Sequence, residues 1–247
     1  MEKSKIERTF VVGDQHGCYE EAKELLKLLD FGSPRVKIIC LGDFLDRGPD
    51  SVACVRLARE LNISSVAGNH EIKLLKWLRR TDAKKEETLL RQPHYYQFSQ
   101  DDIDWMSSLP YYIKAPEQDA IVVHAGVKPY LPIERQSRED LCYLRYTDKN
   151  GKFVSIRKIH EVGSVSAANA VFWVARGPFT AAKSIYYGHS VYEGGVHIDR
   201  FDDGSECIGV DTGCCFGMSL SAICMETKEV ISVKAKRVYY EPGFKIQ

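Results

Sequence analysis

The chain has 247 residues, 44% of them hydrophobic, with 34 basic and 34 acidic side chains and a formal charge of zero. That length and apolar content support a sizeable core in one domain spanning residues 1–247, and the balanced charge excludes a global field that would draw in nucleic acid or an anionic membrane. No apolar run approaches a membrane span, MEKSKIERTF holds no hydrophobic leader, and eight cysteines lie scattered without CxxC pairs; the expectation is a cytoplasmic or nuclear protein with reduced thiols, not a disulfide scaffold or zinc knuckle.

Thr9 to Val12, β-branched and aromatic, predicts a strand ending at Gly13. Asp14 and His16 follow, two apart, so in an extended segment both point to one side and can share a metal. Ala22, Leu25, Leu26 and Leu29 predict an amphipathic helix over Tyr19 to Leu29, closing a βαβ unit with a second strand at Ile38 to Leu41. Gly42 turns the backbone and leaves Asp43 at the carboxyl end of that strand, where ligands collect in α/β sheets. Asp46 and Arg47 come next. Alone, D-x-x-D-R reads as a loop ion pair beside a helix cap; what points to a metal is the recurrence of one construction, a strand, a glycine and a polar ligand.

Pro49 to Leu61 predicts a second crossover helix, and a third strand, Ser64 to Ala67, ends at Gly68. Asn69 suits either the cap of the helix running through Ile72, Leu74, Leu75, Trp77 and Leu78 or a hard oxygen ligand. His70 falls in the first helical turn, where the dipole disfavours an imidazolium that a carboxylate such as Asp46 would restore. Thr81 to Gln100, with Pro93 and paired Tyr95 and Tyr96, reads as a surface excursion over the site, with a helix from Asp101 to Leu109. A fourth strand, Ala120 to Val123, ends at His124. Pro129 to Arg157 is polar, loop-rich and carries Arg145. Ser184 to Tyr187 ends at Gly188 and His189, Cys207 to Val210 ends at Asp211, and Leu220 to Met225 with Val230 to Val238 predict a hairpin around Thr227 to Glu229. His94, His160 and His197 lack a strand-end context and read as ordinary histidines; Cys214 and Cys215 read as core.

Strands alternate with helices early and run without them late, an α/β pattern that predicts a layered αββα sandwich of two mixed β-sheets flanked by helices, with the site at the strand ends. Asp14, His16, Asp43, Asn69, His124 and His189 then converge at one rim. Asp43 is the natural bridge between two cations, which lower the pKa of a shared water and clamp both oxygens of a displacement at phosphorus. Mixed N and O ligation suits Mn, Fe, Co, Zn or Ni without choosing among them, and the absence of thiolates from the set argues against a closed structural zinc site.

GDQHG (13–17), GDFLDRG (42–48) and GNHE (68–71), with HAG (124–126) and GH (188–189), resemble the calcineurin-like metallophosphoesterases of the phosphoprotein-phosphatase superfamily, from about Phe10 to Glu226. Each fixed position is matched by chance about one time in twenty, so three blocks in order are specific. HAG in place of HGG, Cys18 and Tyr19 after the first block, and IGVDTGCCFGMSLSAICME (208–226) resemble the ApaH-like branch, the bis(5'-nucleosyl)-tetraphosphatases; Asp46, Arg47 and Glu71 are as much a protein-phosphatase feature.

The resemblance implies the metallophosphoesterase fold and two divalent metal ions, manganese ahead of Fe, Co, Zn, Ni or Mg: one on Asp14, His16 and Asp43, the other on Asp43, Asn69, His124 and His189. It implies that His70, fixed by Asp46, protonates the leaving oxygen, that Arg47 binds the attacked phosphate, and that Arg145 and Arg176 are further phosphate-binding candidates. Asp211 stands either behind the ligands or in a turn. The implied reaction is in-line attack of a metal-bridging hydroxide on a dinucleoside polyphosphate, giving two ADP from diadenosine tetraphosphate. The alternatives are a protein serine/threonine or tyrosine phosphatase, a polyphosphate or mRNA-cap pyrophosphohydrolase, and a metal-binding module without catalysis. The expected partner is a phosphorylated small molecule, with no membrane and no extended nucleic-acid surface; nothing in the sequence specifies an oligomeric state.

Overall fold

The computed structural model describes residues 7–241, so the expectation placed on the opening MEKSKI lies outside the described residues. In chain order the elements are β1 (Arg8–Val12), α1 (Tyr19–Leu28), β2 (Val36–Cys40), α2 (Ser51–Glu60), β3 (Ser64–Ser65), α3 (Asn69–Leu78), α4 (Lys84–Arg91), α5 (Gln100–Ser108), β4 (Tyr112–Ala115) and β5 (Ala120–Val123). They continue with α6 (Arg138–Tyr143), β6 (Tyr146–Asp148), β7 (Phe153–Val154), α7 (Ile156–Val162), β8 (Ala170–Phe172), β9 (Ser184–Tyr187), β10 (His197–Arg200), β11 (Glu206–Gly209), β12 (Ser219–Cys224) and β13 (Val230–Lys234).

Two five-stranded sheets carry the fold, ordered β13-β12-β1-β2-β3 and β10-β11-β9-β5-β4. Both are mixed: β1, β2 and β3 run parallel, as do β5, β9 and β11, while the flanking strands are antiparallel. Successive side chains of a strand point to opposite faces, and the burial follows that period. Val11, Ile39, Leu41 and Ile223 of the first sheet meet Val122, Tyr186 and Ile208 of the second in the layer between them. Phe10, Val12, Ile38 and Cys40 face outward, under Leu25 and Leu26 of α1, Leu29 just past its end, Val55 of α2, Leu74 and Trp77 of α3 and Met106 of α5. The other outer face is covered differently. Ile121, Val123, Ile185 and Tyr187 lie beneath Leu141 and Cys142 of α6 and the short turn holding Trp173 and Val174.

The layered α/β architecture is the expected one, with local differences. The third strand closes after Ser65 because the Ala67 N–H turns away to the Pro110 carbonyl. The 81–100 excursion contains a helix, α4, whose good helix formers KKEETLLR leave no buried face to register as periodic apolarity. The polar stretch after Pro129 supplies α6 and leads into a small third sheet, β7-β6-β8. β4 and β10 are edge strands with partly exposed patterns, which carry a weak strand signal.

The carboxyl ends of β1, β2, β5, β9 and β11 run directly into Asp14, Asp43, His124, His189 and Asp211. The loops there approach so closely that a Cβ on Gly42, at φ +85°, would stand 2.5 Å from the Gly68 nitrogen.

Candidate active site

Asp43 is the centre of the cluster. Its Oδ1 accepts the His70 N–H at 2.9 Å, and its Oδ2 faces three imidazole nitrogens: Nε2 of His124 at 3.5 Å, of His16 at 3.6 Å and of His70 at 3.8 Å. His189 joins Asp43 and His124 in a group whose ligand atoms lie within 4.8 Å of one another. Asp14 stands beside His16, with 4.0 Å between Oδ2 and Nε2, and accepts the His189 N–H at 3.0 Å. His16, Asp43, Asp46, Arg47 and His189 all take positive φ. Backbone in that region is costly for such residues and collects at sites the surrounding structure over-determines.

The ring tautomers follow from the second nitrogens. His16 Nδ1–H donates to the Leu45 carbonyl at 3.0 Å and His124 Nδ1–H to the Leu41 carbonyl at 2.7 Å, so each Nε2 offers a lone pair to the cluster. Burial holds His16, His124 and His189 below the ordinary imidazole pKa; the neighbouring guanidiniums add to this, Arg47 at His16 and Arg145 at His189. At Asp43 the imidazoles of His124, His70 and His16 outweigh the cost of burial and keep the carboxyl below its usual range.

The donor set fits divalent cations. Asn69 Oδ1 lies 3.0 Å from His124 Nε2, so two acceptors face one another, an arrangement that a shared cation satisfies. Asp14 Oδ1 and Asp211 Oδ2 are buried and accept no hydrogen bond. Burial and the charges of Asp211 and Asp43 push Asp14 well up, while burial above all lifts Asp211 to about 6; positive charge among these carboxyls would reverse that penalty. Glycines keep the carboxylates clear, for a Cβ on Gly188 would sit 2.1 Å from Asp14 Oδ1 and one on Gly68 2.1 Å from Asp43 Oδ1.

Beside the cluster His70 Nδ1–H donates to Asp46 Oδ2 at 2.6 Å. Asp46 is an intensively used carboxylate: Lys73 Nζ at 3.0 Å and the Tyr95 hydroxyl at 3.1 Å also reach Oδ2, and His94 Nε2 reaches Oδ1 at 2.9 Å. Burial raises its pKa, but the hydrogen bonds from His70 and His94 and the charge of Lys73 hold it far below the carboxylate range. Arg47 donates to His16 Nε2 at 2.7 Å and lies 5.3 Å over the Phe216 ring. Arg145 donates to Ser190 Oγ at 3.2 Å and to the His189 carbonyl, which places it at the same rim.

The structure therefore gathers Asp14, His16, Asp43, Asp46, Arg47, Asn69, His70, His124, Arg145 and His189. Arg176 is not among them. Its guanidinium donates to Thr147 Oγ1 at 3.3 Å and to the Asp148 carbonyl at 2.8 Å, bracing the third sheet, so the phosphate-binding expectation for it is withdrawn. His160 and His197 are exposed, as read, but His94 is not an ordinary histidine, since the excursion folds it onto Asp46. Two further residues at the site, Lys73 and Glu71, carry roles that motif and periodicity did not assign. Lys73 was available in principle, three residues beyond His70 on the same helix face. Glu71 accepts the N–H groups of Asp43 at 2.9 Å and of Phe44 and Gly68 at 2.8 Å, tying three turns together; burial and the Asp43 charge raise it to about 8.

Residues 7–202 match the family model described as calcineurin-like phosphoesterase. Over 95% of both chains the protein is 26% identical to the asymmetrical bis(5'-nucleosyl)-tetraphosphatase PrpE of Oceanobacillus iheyensis. It is also 26% identical to a symmetrical bis(5'-nucleosyl)-tetraphosphatase of Wigglesworthia glossinidia brevipalpis, over 92% of this chain and 99% of that one. Among solved structures, one of a protein inferred to be a diadenosine tetraphosphatase superposes with a TM-score of 0.75 at 26% identity, over 94% of this chain and 95% of that one. A protein serine/threonine phosphatase from Saccharomyces cerevisiae, at TM-score 0.58 and 17% identity over 99% and 84%, shares the fold.

Proposed function

Since the chain belongs to the calcineurin-like phosphoesterases, we propose that it hydrolyses the phosphoanhydride chain of dinucleoside polyphosphates, cutting diadenosine tetraphosphate with one water into two ADP. The observation that carries this reading is Asp43 Oδ2, a buried carboxylate oxygen with Nε2 of His124, His16 and His70 at 3.5 to 3.8 Å. The near full-length likeness to tetraphosphatases of both cleavage types supports the substrate class.

Asp14, His16 and Asp43 would hold one divalent ion, and Asp43, Asn69, His124 and His189 the other, manganese being our first choice. The ions would supply an activated water and positive charge for the phosphoryl oxygens. Arg47 and Arg145 bring fixed positive charge to the same rim, where charge grows on the attacked group. Asp46 holds Nδ1 of His70 and turns Nε2 toward the cluster, so His70 delivers a proton to the departing oxygen while Asp46 offsets the imidazolium charge. His94 and Lys73 keep Asp46 ionised and in place.

The test is product analysis with diadenosine tetraphosphate after reloading with manganese. ADP alone is the expected product. Equal ATP and AMP would move the cut to the asymmetrical position, and faster turnover of phosphopeptides than of dinucleotides would remove the substrate assignment.

A further inference from the structure

Behind the strand-end cluster lies a second set of ligand-type atoms that the phosphohydrolase reading does not use. Cys18, Glu21 and Cys214 are all buried, and one ligand atom from each falls within 4.8 Å of the others. The Cys18 and Cys214 thiols are hydrogen-bonded to one another, and Cys54 lies within electrostatic reach of Cys214 and Glu21. The Glu21 carboxylate is divided in its use. Its Oε1 accepts the Lys236 N–H at 3.0 Å and the Tyr239 hydroxyl at 2.7 Å, whereas Oε2 is buried without a partner. One oxygen anchored and the other bare, on a carboxylate grouped with two thiols, is the arrangement of a ligand oriented by outer hydrogen bonds.

We propose that Cys18, Glu21 and Cys214 form a thiolate-type site for a borderline-soft divalent cation of the zinc class, separate from the Asp43 cluster. Ligand atoms of a tetrahedral sulfur and oxygen site stand roughly 3.5 to 4 Å apart, so a small contraction closes this one. Thiolates select such cations over the hard ones that carboxylates alone prefer. On binding, the two thiols lose their protons to solvent and the cation gains two Sγ bonds and one Oε2 bond, with Cys54 or water completing the set. The ion ties the start of α1 to the Cys214–Phe216 turn and, through Glu21, to the Lys236–Tyr239 segment.

Cobalt(II) reports on this directly, because only thiolate ligation gives near-ultraviolet sulfur-to-cobalt charge transfer; the N and O donors around Asp43 do not. The full chain, purified reduced, stripped with chelator and saturated with Co2+, is expected to show that absorption at one thiolate-bound cobalt per chain. Cys18→Ser and Cys214→Ser should abolish it, and Cys215→Ser should retain it. Asp43→Asn should also retain it, which separates this site from the proposed phosphohydrolase centre. No charge-transfer band in the saturated wild-type chain overturns the proposal whatever the variants do, and so does a band that survives Cys214→Ser.

Discussion

Asp43 and His70 sit less than 4 Å apart, and the roles proposed for them are opposite: Asp43 gathers positive charge and His70 releases a proton. Asp43→Asn removes the charge that three imidazole nitrogens face, so turnover should vanish and metal content measured by emission spectroscopy should fall with it. His70→Asn should keep both metals and lower kcat by about 10² to 10⁴, the usual worth of a general acid. His94→Gln removes one of several hydrogen bonds to Asp46, for a loss of about tenfold; equal metal loss in the Asp43 and His70 variants would contradict the division of roles. The buried carboxyls also set a pH dependence. In metal-free protein Asp211 is raised to about 6 and Glu71 to about 8, and Asp14 is raised too, chiefly by burial. A carboxyl that binds its proton more tightly folded than unfolded lends stability at low pH and loses it as pH climbs through the folded pKa. Below about pH 6.5 the buried neutral imidazoles of His16, His124 and His189 act in the opposite sense, because they gain protons on unfolding, so the fall in the urea midpoint of the chelated protein is expected from about pH 6.5 to 8.5. Glu71→Gln should remove about 2 kcal/mol of that fall, and a metal-free midpoint that rises between about pH 6.5 and 8.5 would refute the assignment.

At the scale of elements, what is legible in the sequence is what repeats. β1, β2, β3, β5 and β9 each read as a strand followed by a glycine or a ligand, and α1 as a 3.6-residue stripe, so the six proposed ligands stand out without any knowledge of contacts. His94 and Tyr95 cannot be assembled in that way, because they meet Asp46 only after the excursion folds back across nearly fifty residues. α4 escapes because helix propensity without a buried face leaves no periodic signature. Arg176 fails for the converse reason: an arginine in an aromatic-rich run reads the same whether it faces a phosphate or braces a sheet. The β9 turn makes its own prediction. A side chain at position 188 would bring its Cβ to 2.1 Å from Asp14 Oδ1, so Gly188→Ala must push Asp14 aside. The expected result is a folded protein by circular dichroism with metal affinity reduced at least tenfold, read by calorimetric titration; unchanged affinity would mean that Asp14 is not a ligand.

Across the whole molecule, the layer between the sheets fixes where the strand ends arrive. Ile39 is fully buried there, four residues before Asp43. Ile39→Ala should cost about 2 to 5 kcal/mol in urea unfolding, and the cavity should lower metal affinity as well by loosening the rim that β1 and β2 share with β5 and β9.

All of this turns on chain segments more than a hundred residues apart delivering nitrogen and oxygen donors to a pair of ions joined by one carboxylate. Anomalous diffraction at the manganese edge, from crystals of the reduced full chain soaked in Mn2+, addresses it most directly. Two peaks are predicted, both within bonding distance of Asp43, one also on Asp14 and His16 and the other on Asn69, His124 and His189. A map with no manganese at Asp43, or with both ions bound through other residues, would contradict that arrangement.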